Sequence, residues 1–524
     1  MADTVREIER KYEADPAIAT DQLPDLTRVG RVATVAEGRP RLLDAVYYDT
    51  ADQRLAADRI TLRRRTGGAD EGWHLKLPVV LPEVTGAVRD EIRTPLADAP
   101  PPELTALVRS RARGAALLPV VRLRTRRTAH VLRDAAGAPL AEVAVDDVRA
   151  TRLHPQGAGE ARWREVEVEL DPEGGAGQEL LDEVEQLLVE AGARPSTAPS
   201  KLARALAETA PEGDARPTGK DAERADEDRG RTAGDVVLRY VRAQVRAIVE
   251  LDPAVRRDLP DAVHQMRVAT RRLRSAFRTY GKVLDRTATD PLGGELRWLA
   301  AELGAGRDQE VLAERLATAL AEVPRTLRLG PVSARLRTWS VRGRAGARDR
   351  LLAALDGPRH LALLDDLHAL LDAPPLRTPA ARPAPAVVAG AVRKDYRRLA
   401  RRVEATLAAP AGPDRDEALH GARKAAKRAR YAAEAATPAL GRPARAFVRR
   451  TKQLQQLLGD HQDSVVARAA LRELATQARR AGESGFTFGL LYGREEALAA
   501  ERERELPALW AEVSRRKHRD ALRG

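Results

Sequence analysis

Val5-Arg6-Glu7-Ile8-Glu9-Arg10-Lys11-Tyr12 decides how the first two hundred residues are read. On a β-strand, side chains two apart share a face, so Glu7, Glu9 and Lys11 point one way while Ile8 and Arg10 point the other. An apolar core does not tolerate three charges on its face, so these residues are either exposed or line a polar cavity. The spacing returns in Glu165, Glu167 and Glu169, with Val166 and Val168 between them. Neighbouring carboxylates repel unless a cation sits among them. The chain has no cysteine and only nine histidines in 524 residues. Hard oxygen ligands of this kind suit Mg²⁺ or Mn²⁺ and not zinc.

Basic residues keep the same period further along: Arg63 and Arg65, then His74 and Lys76, then Arg89 and Arg93 around Glu91, then Arg122, Arg124 and Arg126. They are expected to alternate inward. Eight strands are predicted, over residues 5–12, 42–48, 60–65, 73–78, 88–94, 120–132, 140–148 and 163–170. Turn residues separate them, which indicates an antiparallel sheet or barrel. Residues 178–191 read as an amphipathic helix closed by Gly192. A closed barrel with acids on some strands and guanidinium groups on others would take an anion of high charge density together with its metal.

Residues 206–235 are polar, acidic and nearly free of large apolar side chains, so they cannot bury enough surface to offset ordering entropy. A flexible linker is placed at 207–231. Beyond it the chain turns to Ala-, Leu- and Arg-rich helical segments, the pattern of a bundle. This part repeats itself. His264, Arg267, Arg271 and Arg274 match His420, Arg423, Lys427 and Arg430 at an offset of 156, and Leu303-Gly304 with Asp308 matches Leu458-Gly459 with Asp463 at 155. Repeats are therefore expected over about 232–380 and 388–520. The predicted class is α+β and multidomain: an eight-stranded antiparallel β tunnel with flanking helices, then an all-α bundle with an internal two-fold repeat.

Charge is unevenly spread. The net charge is +13, but residues 236–524 hold 55 Lys and Arg against 34 Asp and Glu. So basic a segment seeks a polyanion. His264, Arg267, Arg271, Arg274 and Arg278 fall on one helical stripe, and two such stripes at homologous positions point to a bound polyanion. The scarcity of Phe and Tyr in them argues against single-stranded nucleic acid, which stacks on aromatics, and leaves only nonspecific, salt-dependent binding of that kind. Without cysteine there is no disulfide and no thiolate chemistry. No apolar run reaches the length of a membrane span, and residues 1–10 carry acids where a signal peptide needs bases and then apolar residues. A cytoplasmic protein without membrane partners is expected.

Glu7-x-Glu9-x-Lys11, Tyr48-Asp49-Thr50, Leu62-Arg63-Arg64-Arg65, the strand from Trp73 to Lys76, Glu91, Glu142 to Asp146, Glu165 to Glu169, and Ser200-Lys201 resemble the CYTH domain of triphosphate tunnel metalloenzymes, over residues 1–206. The resemblance implies a tunnel that binds inorganic tripolyphosphate or nucleoside triphosphates with a divalent metal. It implies metal ligands among Glu7, Glu9, Glu91, Asp146, Glu167 and Glu169, with Glu167 and Glu169 also able to orient the attacking water. It implies that Lys11, Arg63, Arg65, Lys76, Arg124, Arg126 and Lys201 clamp phosphates, with Arg127 as the alternative to Arg126. Arg93 stands where a further acid is common in the family.

The two basic stripes, with Leu458-Gly459-Asp460-His461-Gln462-Asp463, resemble the CHAD domain over residues 232–520. That implies long-chain polyphosphate bound by His264, Arg267, Arg271, Arg274, His420, Arg423, Lys427, Arg430 and His461, and association with polyphosphate granules. The function expected is a metal-dependent inorganic triphosphatase with a polyphosphate-binding helical domain. The alternatives are a noncatalytic polyphosphate-binding protein, and triphosphatase or cyclase chemistry on nucleoside or thiamine triphosphates in the same tunnel.

Overall fold

The computed structural model describes residues 3–14, 23–68, 70–79, 87–154, 159–211 and 232–516. The linker expected at 207–231 and the end of the helical region at 520 fall largely outside these. The chain divides into two compact units, Met1–Pro217 and Thr218–Gly524.

All eight expected strands are present: β1 (Asp3–Glu13), β3 (Arg41–Asp49), β4 (Thr61–Thr66), β5 (Gly72–Pro78), β6 (Ala87–Thr94), β7 (Leu118–Arg133), β8 (Pro139–Arg152) and β9 (Glu160–Leu170). Two short strands lie outside the eight, β2 (Thr34–Glu37) against β7 and β10 (Arg194–Pro195) against β1. The eight run in the order β1-β6-β5-β4-β3-β7-β8-β9, and β9 pairs back to β1, so the sheet closes as an antiparallel barrel without free edges.

Apolar side chains of the outer face carry the helices. The outer residues Leu62, Trp73, Leu75 and Ile92 pack under α2 (Pro102–Ala112) through Leu104 and Val108, next to Leu55 of the short α1 (Arg54–Ala57). Val143, Val145, Val166 and Val168 pack under α3 (Gln178–Glu190) through Leu181 and Val184. Gly192, at φ +96°, turns the chain out of that helix as only glycine does without strain. Ser200 caps α4 (Lys201–Glu208) by accepting from the Ala203 amide at 3.0 Å. Leu202, Ala205 and Leu206 of α4 pack on Ala45, Tyr47 and Leu123, which face into the barrel, so α4 closes one mouth. Burying Leu202 and Leu206 is worth roughly 1.5–3 kcal/mol each.

Ten α-helices are described in the second unit. The first repeat begins with α5 (Ala233–Arg256), α6 (Ala262–Thr279) and α7 (Arg286–Ala321), followed by the shorter α8 (Val332–Arg344), α9 (Ala347–Asp356) and α10 (Pro358–Asp372). The second has α11 (Ala384–Ala408), α12 (Pro413–Leu440), α13 (Arg442–Arg480) and α14 (Phe486–Val513). The opening triplet therefore recurs with its long third helix. A capping box starts α5: Thr232 Oγ accepts from the Asp235 amide at 3.2 Å, and the Asp235 carboxylate accepts from the Thr232 amide at 3.1 Å. Both repeats contribute to one core, Val241, Leu273 and Leu299 from the first, Leu399, Ala429 and Leu454 from the second. Among the described residues no helix is long and apolar enough to cross a membrane.

Candidate functional sites

The barrel encloses a cavity of about 320 Å³ lined by eight basic and nine acidic side chains. Cross-strand register sets one row of like charges among pairs of opposite sign. Glu9 lies opposite Glu169, which lies opposite Glu142, so three carboxylates form a row across β1, β9 and β8. On the far wall Lys76 pairs with Glu91 and Arg63 with His74. Lys76 Nζ lies 2.5 Å from Glu7 and 3.7 Å from Glu91. Glu91 is also held by His74 at 2.9 Å, by Arg63 at 3.4 Å and by Arg93. The His74 hydrogen bond and the Lys76 and Arg63 charges hold its carboxyl well below the usual range although burial opposes them. Glu91, an expected metal ligand, therefore has both oxygens engaged and braces the basic wall.

At the α4 end, Lys201 Nζ sits 2.6 Å from Glu165, 2.6 Å from Glu167 and 3.0 Å from Asp146. These three carboxylates are close enough together to hold a metal, and the ammonium occupies that position. Arg127 adds contacts of 2.6 Å to both Asp146 and Glu167. Lys201, expected to clamp phosphate, is instead saturated by carboxylates.

Glu142 and Glu169 make no ion pair among the described residues. Burial, then the neighbouring Glu7, Glu9 and Glu167 charges, raise the Glu169 carboxyl to about 7, with Lys76 opposing them. Glu7 is raised too, chiefly by burial. Glu9 is lowered to about 2 because Lys11 and Lys76 outweigh its burial. Crowded carboxylates, two of them without an ion pair, suit a hard divalent cation, and Glu7, Glu9, Glu142 and Glu169 are the candidates to hold it.

Of the expected residues, Glu7, Glu9, Lys11, Arg63, Arg65, Lys76, Glu91, Asp146, Glu167, Glu169 and Lys201 all line the cavity. Arg124 and Arg126 do not. Ala45 and Leu43, which face inward on β3, lie opposite Leu123 and Thr125, so the inward face of β7 continues to Arg127. Arg122 and Arg124 instead reach Asp44 on the outside, at 2.5 and 3.6 Å, and Arg126 is exposed. The expectation that Arg122, Arg124 and Arg126 point inward is thus corrected in favour of Arg127. Arg89 and Arg93 also line the cavity, and so do Glu142 and Tyr47, which were not among the expected ligands.

In the second unit the two stripes meet. Lys427 of α12 is near Arg271 and Arg267 of α6 and Arg423 of its own helix. Burial first, then Arg271 and Arg423, lower the Lys427 amine to about 7. Among the described residues neither Arg271 nor Lys427 makes an ion pair. Arg274 continues the track, close to Arg278 and Arg297. Arg430 is partly committed elsewhere, 3.5 Å from Glu434 and stacked on Tyr431. His264 is exposed and His420 half-buried.

His461 is not in the groove. It is buried between Glu503 at 3.2 Å and Asp416 at 3.4 Å, an acidic setting that repels an anion. Gly459 and Asp463 sit one turn apart on the face of α13 towards Arg423, whereas His461, two residues on from Gly459, lies on the other side of the helix.

Comparison with known proteins gives a CYTH domain over residues 5–205 and a CHAD domain over 239–472. The uncharacterized protein Rv2226 of Mycobacterium tuberculosis is 40% identical over 531 residues, covering 98% of each chain. Among solved structures, PptA from Streptomyces chartreusis is 23% identical with a TM-score of 0.45, over 53% of this chain and 99% of its own. The CHAD domain from the plant Ricinus communis is 26% identical with a TM-score of 0.44, over 54% of this chain and 92% of its own.

Proposed function

The chain belongs to the family in which a CYTH domain, typically a triphosphate-acting metalloenzyme, precedes a CHAD domain, and we propose that it is a divalent-metal-dependent inorganic triphosphatase whose helices bind long-chain polyphosphate. The observation that carries this reading is the balance of the tunnel lining. Eight bases face nine acids, so a tripolyphosphate alone would bring several uncompensated negative charges into a buried site. Such an anion is held only if a divalent cation enters with it, and the unpaired Glu169 beside Glu7 and Glu9 offers the place.

Bound there, Mg²⁺ or Mn²⁺ would neutralise charge on the transferring phosphoryl group and lower the pKa of a coordinated water. Arg63, Arg65, Arg93 and Arg127 face the cavity from the opposite walls and would hold phosphate oxygens in line. Lys11, Glu167 and Lys201 are locked in one network and fix the shape of the acidic end. Since Glu167 is fully engaged, Glu169 is the carboxylate left to hold the metal or to orient the water. No nucleophilic side chain is required for phosphoanhydride hydrolysis of this kind.

Inorganic tripolyphosphate is favoured over nucleotides because Tyr47 is the only aromatic side chain among the described lining residues, leaving little surface on which a base could stack. In the helices, the unpaired Arg271 and Lys427 support a polyanion ligand, which would also retain the protein at polyphosphate granules. Purified protein offered tripolyphosphate, ATP, thiamine triphosphate and long-chain polyphosphate with Mg²⁺ or Mn²⁺ is expected to release phosphate from tripolyphosphate fastest. Binding without turnover would make the tunnel a scaffold, and preferential turnover of ATP or thiamine triphosphate would reassign the substrate.

A further inference from the structure

The groove contains a device that appears twice. In the first repeat Arg267 of α6 lies against Gly304 of α7, where a Cβ would stand 3.0 Å from the guanidinium carbon, and its Nη2 donates to Asp308 at 2.9 Å. In the second, Arg423 of α12 lies against Gly459 of α13, where a Cβ would stand 3.6 Å from Nη2, and it reaches Asp463 at 3.5 Å. At Gly304 the absent Cβ clears the space, at Gly459 a Cβ would make only an ordinary contact, and in both repeats the acid one helical turn later catches the guanidinium.

Stability does not explain this. Asp308 is 68% exposed and Asp463 46%; ion pairs so exposed add about 0–1 kcal/mol, while each glycine inside a helix costs about 1 kcal/mol relative to alanine. Simple attraction does not explain it either, because an acid beside an anion site repels the ligand. What the two acids do is hold one guanidinium from each repeat flat beside Arg271 and Lys427, which have no such partner.

We propose that Asp308 and Asp463 are positioning residues of the polyanion groove, aligning Arg267, across the clearance left by Gly304, and Arg423 beside Gly459. The inference rests on the polyphosphate reading of that groove. Its consequence has a sign opposite to that of net charge. Asp308→Asn with Asp463→Asn makes the groove more positive by two charges, and a field acting alone would tighten binding. Loss of alignment weakens it.

The test is titration of the full chain with long-chain inorganic polyphosphate at about 0.15 M salt, near the physiological ionic strength, with thermal unfolding run in parallel. The double Asn variant is expected to bind about 10-fold or more weakly, the scale of a lost charge-assisted contact. Asp308→Glu with Asp463→Glu should recover part of that loss. Gly304→Ala, which leaves every charge in place, should also weaken binding. Equal or tighter binding by a folded Asn variant overturns the positioning role, and so does a Gly304→Ala variant with unaltered affinity. If the wild-type chain does not bind polyphosphate at all, the reading of the groove falls and this inference falls with it.

Discussion

The tunnel and the helical groove both present clustered cations, but they hold them in opposite ways. In the tunnel every lining base has an acid within ion-pairing distance, and the residues without an ion pair among the described ones include two acids, Glu142 and Glu169. In the groove Arg267 and Arg423 have acids, while Arg271, Arg274 and Lys427 make no ion pair among the described residues. A site that already contains its own counter-charges needs a cation before it can accept another anion. A site with surplus cations needs only the anion. On the proposed reading, the same chemistry of arginine and lysine would give a metal-dependent site in one unit and a metal-independent one in the other.

The largest effect that would break this contrast is at Glu169. Glu169→Gln should lower metal-dependent phosphate release by about 10²–10³-fold, the scale of removing one preorganised electrostatic group. It should also raise the unfolding temperature, because it relieves repulsion among Glu7, Glu9 and Glu167. Glu169 is raised to about 7 from an ordinary 4.5, so the folded state binds more protons than the unfolded one between these values and stability falls as pH rises through that window. The Gln variant should lose this slope. Glu7→Ala should lose activity to a similar degree but destabilise the barrel, since it breaks a buried pair and leaves Lys76 only its longer contact to Glu91, at a cost of up to about 3–5 kcal/mol. Thermal unfolding of the two variants side by side separates an unpaired acid from a paired one.

Added Mg²⁺ or Mn²⁺ should raise the unfolding temperature of the wild-type chain and leave that of Glu169→Gln nearly unchanged, as expected when a ligand binds only the folded site. For the groove, pH is the more informative variable. The Lys427 amine is lowered to about 7, so it gains its charge as pH falls from 8 to 6, and polyphosphate affinity should rise up to about 10-fold over that range by linkage. Lys427→Arg keeps the charge and should flatten the profile. In the unliganded chain the same shift acts on stability: the unfolded state holds the proton up to about 10.5, so this group's contribution to stability rises with pH between 7 and that value.

The smallest expected effects lie on β7. Arg124→Ala and Arg126→Ala should leave phosphate release within about 2-fold, as exposed positions usually do, while Arg127→Ala lowers it clearly. Rates for the three variants, measured together, test the strand's phase directly.

That phase shows where the sequence ran out. Period-two charge on β1, β4, β5, β6 and β9 was legible because the face opposite the lining charges carries apolar residues, Ile8, Leu62, Leu75, Ile92 and Val166, even where Arg10, Arg64 or Asp90 shares it, so only one orientation buries the apolar set. β7 has arginine on both faces, at 122, 124 and 126 and again at 127, and the irregularity opposite Tyr47 and Tyr48 shifts its register. No alternation rule chooses between two charged faces. The helical repeat was legible from its offset alone. His461 was misplaced because a motif match carries residue types and not the side of the helix they occupy. The close approach of Arg267 to Gly304 on a different helix leaves no mark on local periodicity.

With Leu202, Ala205 and Leu206 packed across one mouth of the barrel, the proposed anion would enter by the other, terminus first. On that reading a long polymer would be trimmed from its end, because bonds in its middle would not reach the acids.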